Sequence, residues 1–171
     1  MKRAGTFGKT GACLRRLLRP DHKHSLVRGA KMHDATENKM AETLDTWRDL
    51  VESKKTFAHI ATLMPDGTPQ STPVWIDYID GKVLVNSAKG RVKVRNLKPG
   101  SPVAISITDP DNPYRYVQIR GKVSRVTEDG AAQHIDKMAK KYLDKDKYPF
   151  SKPGEERVIF EIEPTAVSGN K

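Results

Sequence analysis

The segment Lys82–Leu97 reads KVLVNSAKGRVKVRNL. An apolar strand pattern ends in Asn86-Ser87-Ala88, and a short basic segment opens at Lys89-Gly90-Arg91. A strand that delivers small hydrogen-bonding residues, then a glycine, then clustered cations is a place where a phosphate can be held. The glycine lets the backbone come close to an anion, helix-opening N–H groups point at it, and Lys and Arg add charge. A strand-to-helix turn whose basic residues are merely solvated has the same spacing, so both readings stay open on this segment alone. Arg91 and Arg95 are four apart and share a face of an ideal helix, with Lys93 elsewhere. Arg91 and Lys93 can converge on one phosphate only if the first turn is a loop or irregular.

Working outward, Asp80-Gly81 makes a tight hairpin between Val83-Leu84-Val85 and a strand running from Gln70 to Tyr78. Pro73 inside that strand argues for an edge or a bulge, because it cannot donate to a ladder. Before it, Phe57–Met64 reads as a strand that ends in the turn Pro65-Asp66-Gly67-Thr68. Further upstream, Met40, Leu44, Trp47 and Val51 form one stripe of an amphipathic helix over about Thr36–Lys54. Downstream, Pro99-Gly100 stops the short helix and Val103–Ile107 is a strand. A long strand follows from Tyr114 to Val126, then a helix from about Glu128 to Tyr142 with Ile135, Met138, Ala139 and Tyr142 on one side. The last strand is Arg157–Ile162, closed by Pro164, with a short tail from Val167. Strands dominate and few connections are long enough for parallel crossovers, so an antiparallel barrel with a few helices is expected.

A chain of 171 residues with a formal charge of +10 suggests nucleic acid until the charge is mapped. Residues 1–31 hold nine Lys/Arg against Asp21, a net of +8, which leaves +2 for the rest. Nucleic-acid binding is therefore not expected of the folded body. Residues 1–35 are expected to be a basic disordered extension, or a stretch upstream of a later start at Met32 or Met40, with the domain over 36–171. No apolar run is long enough for a secretory signal or a membrane span. The single cysteine, Cys13, allows no intrachain disulfide, which fits a reducing cytoplasm. No metal site is expected: His22 and His24 are the only close histidine pair, and His33, His59 and His134 are scattered. His59 reads as a strand residue and His134 as a surface residue of the late helix.

Four segments in order resemble the flavin/deazaflavin oxidoreductases with the split β-barrel fold of pyridoxamine 5′-phosphate oxidase. They are Ile60-Ala61-Thr62-Leu63 with Asp66-Gly67; Ser71–Trp75; Asn86–Leu97; and Asp109–Tyr116 through Gly121. Pro153–Arg157 and Ile162-Glu163-Pro164 also match. The resemblance covers about Thr36–Val167, and is nearest to the branch that uses the deazaflavin coenzyme F420, found mainly in actinobacteria and some archaea.

The resemblance implies a mainly β fold, an FMN-binding type of split β-barrel with a few flanking helices. It implies that Lys89, Gly90, Arg91 and Lys93 hold the phosphate of coenzyme F420, or alternatively of FMN, with Asn96 supporting the turn. Asn86, Ser87 and Ala88 would line the cofactor beside that phosphate. Gln70, Ser71, Thr72, Pro73, Val74 and Trp75 would lie along its ring. Read alone, Trp75 fits a core position better than a stacking one, so backbone at Pro73-Val74 carries that contact. A homodimer is implied, with cofactor sites at its interface and Tyr116 and Arg120 acting on the second copy's cofactor. No nucleophile–base pair is present and none is implied. The expected activity is hydride transfer from reduced deazaflavin to a small conjugated acceptor such as an enone, quinone or tetrapyrrole. An FMN enzyme and a non-catalytic cofactor carrier are the alternatives. Loops near Asp109–Arg115 and Lys145–Pro153 are expected to make the substrate-facing wall.

Overall fold

The computed structural model describes residues 43–171. Met40, Cys13 and the basic leader lie outside them. Seven strands form one antiparallel sheet: β1 (Ala58–Leu63), β2 (Pro69–Val74), β3 (Asp77–Ile79), β4 (Lys82–Ala88), β5 (Pro102–Thr108), β6 (Tyr116–Thr127) and β7 (Arg157–Asn170). Two helices join them, α1 (Val92–Asn96) and α2 (Ala131–Leu143). None of the helices among the described residues is long and apolar enough to cross a membrane.

The strand order β2-β1-β5-β6-β7-β4-β3 puts β2 and β3 at opposite edges, although only Trp75 and Ile76 separate them in the chain. Laid flat, seven strands at the usual spacing would hold those edges about 29 Å apart. Three residue steps span at most about 11 Å. The sheet must therefore curl until its edges nearly meet, and Trp75-Ile76 is the seam. This is the mainly β split barrel.

Alternation along the strands fills the barrel. In β6, Val117, Ile119, Gly121 and Val123 point inward while Tyr116, Gln118, Arg120 and Lys122 face out. Ile60, Ile105, Ile107, Phe160 and Ile162 complete the core. The hairpin at Asp80-Gly81 has φ of +51° and +78°, the pair of left-handed residues that matches the twist of the flanking strands. β2 is an edge, which explains Pro73: its missing N–H faces no neighbour.

Three elements depart from the expected pattern. The strand expected from Gln70 to Tyr78 is broken at the seam into β2 and β3. The backbone groups of Ile76 are satisfied from α2 instead: its N–H donates to Tyr142 Oη at 3.2 Å, and its carbonyl accepts from Lys141 Nζ at 3.2 Å. The helix expected before Lys54 is a 3-10 turn, Leu44–Trp47, and a π turn, Asp49–Ser53. Adjacent Leu50 and Val51 are both wholly buried beside Trp47, and the wider π turn lets neighbouring residues share the inward face. Finally, β7 runs through Pro164 to Asn170. β4 pairs with β7 only as far as Ile162, so Pro164 has a single neighbouring strand and sits at a register shift opposite Gly121.

The Asp109–Arg115 loop is tied down next to the π turn. Arg115 holds Asp49 with two bonds of 2.7 and 2.9 Å and reaches Asp109 at 2.8 Å, while Lys54 bonds Asp109 at 2.6 Å. Bonds from both cations hold the buried Asp109 carboxyl well below its ordinary range.

Candidate functional site

The seam opens into a cavity of about 160 Å³. Pro73, Val74 and Trp75 form one wall, Asn86 of β4 and Ile135 of α2 another, and Arg91 and Lys93 stand at one end. Tyr148, Arg157 and Phe57 close the rest. A larger groove, about 500 Å³, shares Ile135, Tyr148 and Arg157 and runs along α2 to Glu156. Another, about 390 Å³, passes Ala88, Lys89, Gly90 and Arg91 opposite Lys152–Glu155.

The basic turn has the irregular geometry that brings its cations together. Gly90 has φ of +85°, and Arg91 is extended (φ −70°, ψ 150°) just ahead of α1. Arg91 thus stays outside the helix, and its side chain lines the same cavity as Lys93 from the first turn. Lys93 is only 6% exposed, and burial, aided by the Arg91 charge, lowers its pKa. Among the described residues no carboxylate stands within ion-pair distance of Arg91 or Lys93.

The other cations nearby are compensated. Lys89 Nζ lies 2.7 Å from Glu128 and 2.9 Å from Glu156, which raise its pKa. Arg157 is 8% exposed, pairs with Glu155 at 2.5 Å, donates to Asn86 Oδ1 at 3.1 Å, and lies over the Tyr148 ring at 4.5 Å. An uncompensated buried ammonium beside a guanidinium is costly unless an anion arrives, and this arrangement suits a phosphate.

An aromatic wall flanks these charges. Trp75 stacks on Tyr142 with centroids 4.9 Å apart and planes 4° from parallel, and Tyr148 meets Trp75 edge-on at 5.7 Å. Trp75 is half-buried at the cavity and outside the barrel core. An apolar and aromatic flank beside two cations fits a cofactor with a planar ring system and a phosphate.

Of the residues marked in the sequence, Pro73, Val74, Trp75, Asn86, Arg91 and Lys93 surround the cavity, and Ala88, Lys89 and Gly90 line the adjoining groove. Gln70, Ser71, Thr72, Ser87 and Asn96 line neither. Gln70 and Asn96 are both bonded to Thr62 Oγ1, at 3.1 and 3.0 Å, which ties α1 to β1. Ser87 and Thr72 keep buried hydroxyls with no hydrogen-bond partner. Tyr116 and Arg120 are exposed on β6 and do not reach the cavity. The Lys145–Pro153 loop contributes Tyr148, whereas Asp109–Arg115 contributes nothing.

Tyr148 falls in the loop expected to form a wall, whereas Arg157, Ile135 and Phe57 join the site with no motif of their own to mark them. One signal was available: a cation heading the apolar run Arg157-Val158-Ile159-Phe160. His134 is a correction. It is 8% exposed, not on the surface, because α2 lies on β4 and brings its ring against Asn86 and Asp77.

The family model described as pyridoxamine 5′-phosphate oxidase matches residues 43–171, three-quarters of the chain. This chain belongs to the pyridoxamine 5′-phosphate oxidase family. Among solved structures, a protein titled F420 reductase is 34% identical, with a TM-score of 0.61, covering 71% of this chain and 94% of that one. Two more distant structures share the fold of this pyridoxamine 5′-phosphate oxidase family member. A conserved hypothetical protein from Mycobacterium tuberculosis is 23% identical (TM-score 0.59; 76% and 85% covered). An FAD binding protein from Mycobacterium smegmatis is 20% identical (TM-score 0.53; 76% and 95% covered). No curated protein matches the chain by sequence.

Proposed function

We propose that this protein binds coenzyme F420 and is a reductase of small conjugated acceptors such as enones, quinones or tetrapyrroles. The observation that carries the reading is Lys93: a buried ammonium with no carboxylate at ion-pair distance among the described residues, lining an aromatic-walled cavity together with Arg91. The 34% identity to a protein titled F420 reductase supports the deazaflavin over FMN. When bound, the cofactor supplies the hydride chemistry.

The chain's own residues bind and orient. Arg91 and Lys93 take the phosphate, and Lys89 acts from the rim, its charge shared with Glu128 and Glu156. Backbone at Pro73-Val74, with Trp75 beside it, lies along the ring, and Asn86 lines the same space. The aromatic wall keeps water from the reacting face. The protein acts as a homodimer in this reading, with exposed Tyr116 and Arg120 available to the second copy's site. An apolar cleft of about 400 Å³ beside Arg120, lined by Leu63, Pro69 and Val103, is consistent with that face being covered.

The test is turnover of reduced coenzyme F420 with a simple quinone and a cyclic enone, followed by recovery of oxidised deazaflavin absorbance. Recovery in the wild type and its loss in Arg91→Ala/Lys93→Ala is the expected result. Recovery in neither, together with FMN binding, would move the protein to the flavin side of the family.

A further inference from the structure

The Asn86 side chain is held at both ends of its amide. Oδ1 accepts from Arg157 Nη1 at 3.1 Å, while Nδ2 donates to Ala131 O at 2.7 Å and stands 3.4 Å from His134 Nδ1. Only one orientation satisfies these neighbours, since a swapped amide would set donor against donor at Arg157. For His134 Nδ1 to accept, the ring proton must sit on Nε2, the nitrogen that faces Asp77 Oδ2 at 3.5 Å. The Asp77 carboxylate is buried and also bonded by Lys137 Nζ at 2.5 Å. His134 itself lines no part of the cavity, but Asn86 and Arg157 both do. Arg157 Nε is buried with no hydrogen-bond partner among the described residues, so the bond from Nη1 to Asn86 fixes where the guanidinium lies.

We propose that His134 is a positioning residue for the cavity. Held beside Asp77, it sets the Asn86 amide, and Asn86 holds the Arg157 guanidinium at the cavity wall. This rests on the reading of the cavity as a cofactor site, and extends it to a residue that never touches the cofactor.

Two substitutions of similar size separate this role from simple packing. In His134→Asn the amide can place an oxygen near the Nδ1 position; in His134→Gln it reaches toward Asp77 and leaves Asn86 without its acceptor. In the free full-length protein, the Arg157 Nε–H resonance is assigned by its loss in Arg157→Lys. It should stay in place in His134→Asn and shift and broaden in His134→Gln. Titrated with coenzyme F420 and with FMN, His134→Gln should bind the wild type's preferred cofactor about tenfold more weakly, the loss of one hydrogen bond's worth of order. His134→Asn should bind as the wild type does. In an Asn86→Ala background, His134→Gln should cost nothing further, because its effect passes through Asn86. Equal behaviour of the two variants, or additive losses in that background, would overturn the proposal. If the wild type binds neither cofactor, the cofactor reading falls and the Arg157 resonance decides this one alone.

Discussion

Arg91 and Lys93 line one cavity from two different backbone conformations, Arg91 extended ahead of α1 and Lys93 inside its first turn. The burial of Lys93 and the adjacent guanidinium both lower the lysine's pKa, so the free protein carries a charge that its surroundings disfavour. Binding chemistry and fold stability are opposed at this position.

Lys93→Met removes the buried charge and keeps an unbranched apolar chain one atom shorter. The free protein should gain about 1 kcal/mol in denaturant unfolding, since a desolvated charge is replaced by an apolar group. Affinity for the phosphate-bearing cofactor should fall about 10- to 100-fold, the worth of one charge-assisted hydrogen bond. A stability loss with unchanged affinity would mean that the lysine serves packing alone.

Lys89→Ala should have a much smaller effect on binding than Lys93→Ala, although the two lie in the same basic segment. Glu128 and Glu156 already occupy the Lys89 ammonium. Calorimetric titration of the two single variants gives the ranking, and equal losses would count against it.

Asp77 gives the acid limb of stability. Burial opposes its charge, but the His134 ring beside it and the bond from Lys137 outweigh that and bring its pKa down to about 2. A carboxyl lowered in the folded state stabilises the fold above its unfolded pKa, and the gain is lost as pH falls from about 4 to about 2. The gain is on the order of 2 kcal/mol at neutral pH. Asp77→Asn should therefore be less stable at pH 7 and lose less than the wild type between pH 4 and pH 2, as read by urea unfolding.

Much of the barrel was legible because its signals are local. The alternation in β6, the Asp80-Gly81 hairpin and the apolar stripe of α2 each specify their element within a few residues. The seam was not. Gln70–Tyr78 carries an unbroken strand pattern, and only the partners that Ile76 finds on α2, 66 positions away for Tyr142, reveal the break. The same limit hid Arg157 and Ile135 from the site, since β7 and α2 reach the cavity only through tertiary packing. The basic turn was legible in composition, and its geometry followed from Gly90. Which cations are free was not legible, because Glu128 and Glu156 are distant in sequence from Lys89.

Gly169→Ala tests the packing of the continued β7. A Cβ there would lie 2.6 Å from the Trp47 indole and closer still to the Tyr116 carbonyl, neither of which can yield. The substitution should destabilise the fold by about 3 kcal/mol or more, seen as a lower thermal midpoint. A near-neutral result would contradict the pairing of β7 beyond Pro164.

The most direct test of the account is a fluorescence titration of the wild type and of Arg91→Ala/Lys93→Ala with coenzyme F420 and with FMN. The wild type should bind the deazaflavin in preference to FMN, and the double variant should lose that binding while remaining folded. Undiminished binding in the double variant would contradict it, because the phosphate would then lie somewhere other than the Arg91–Lys93 end of the cavity.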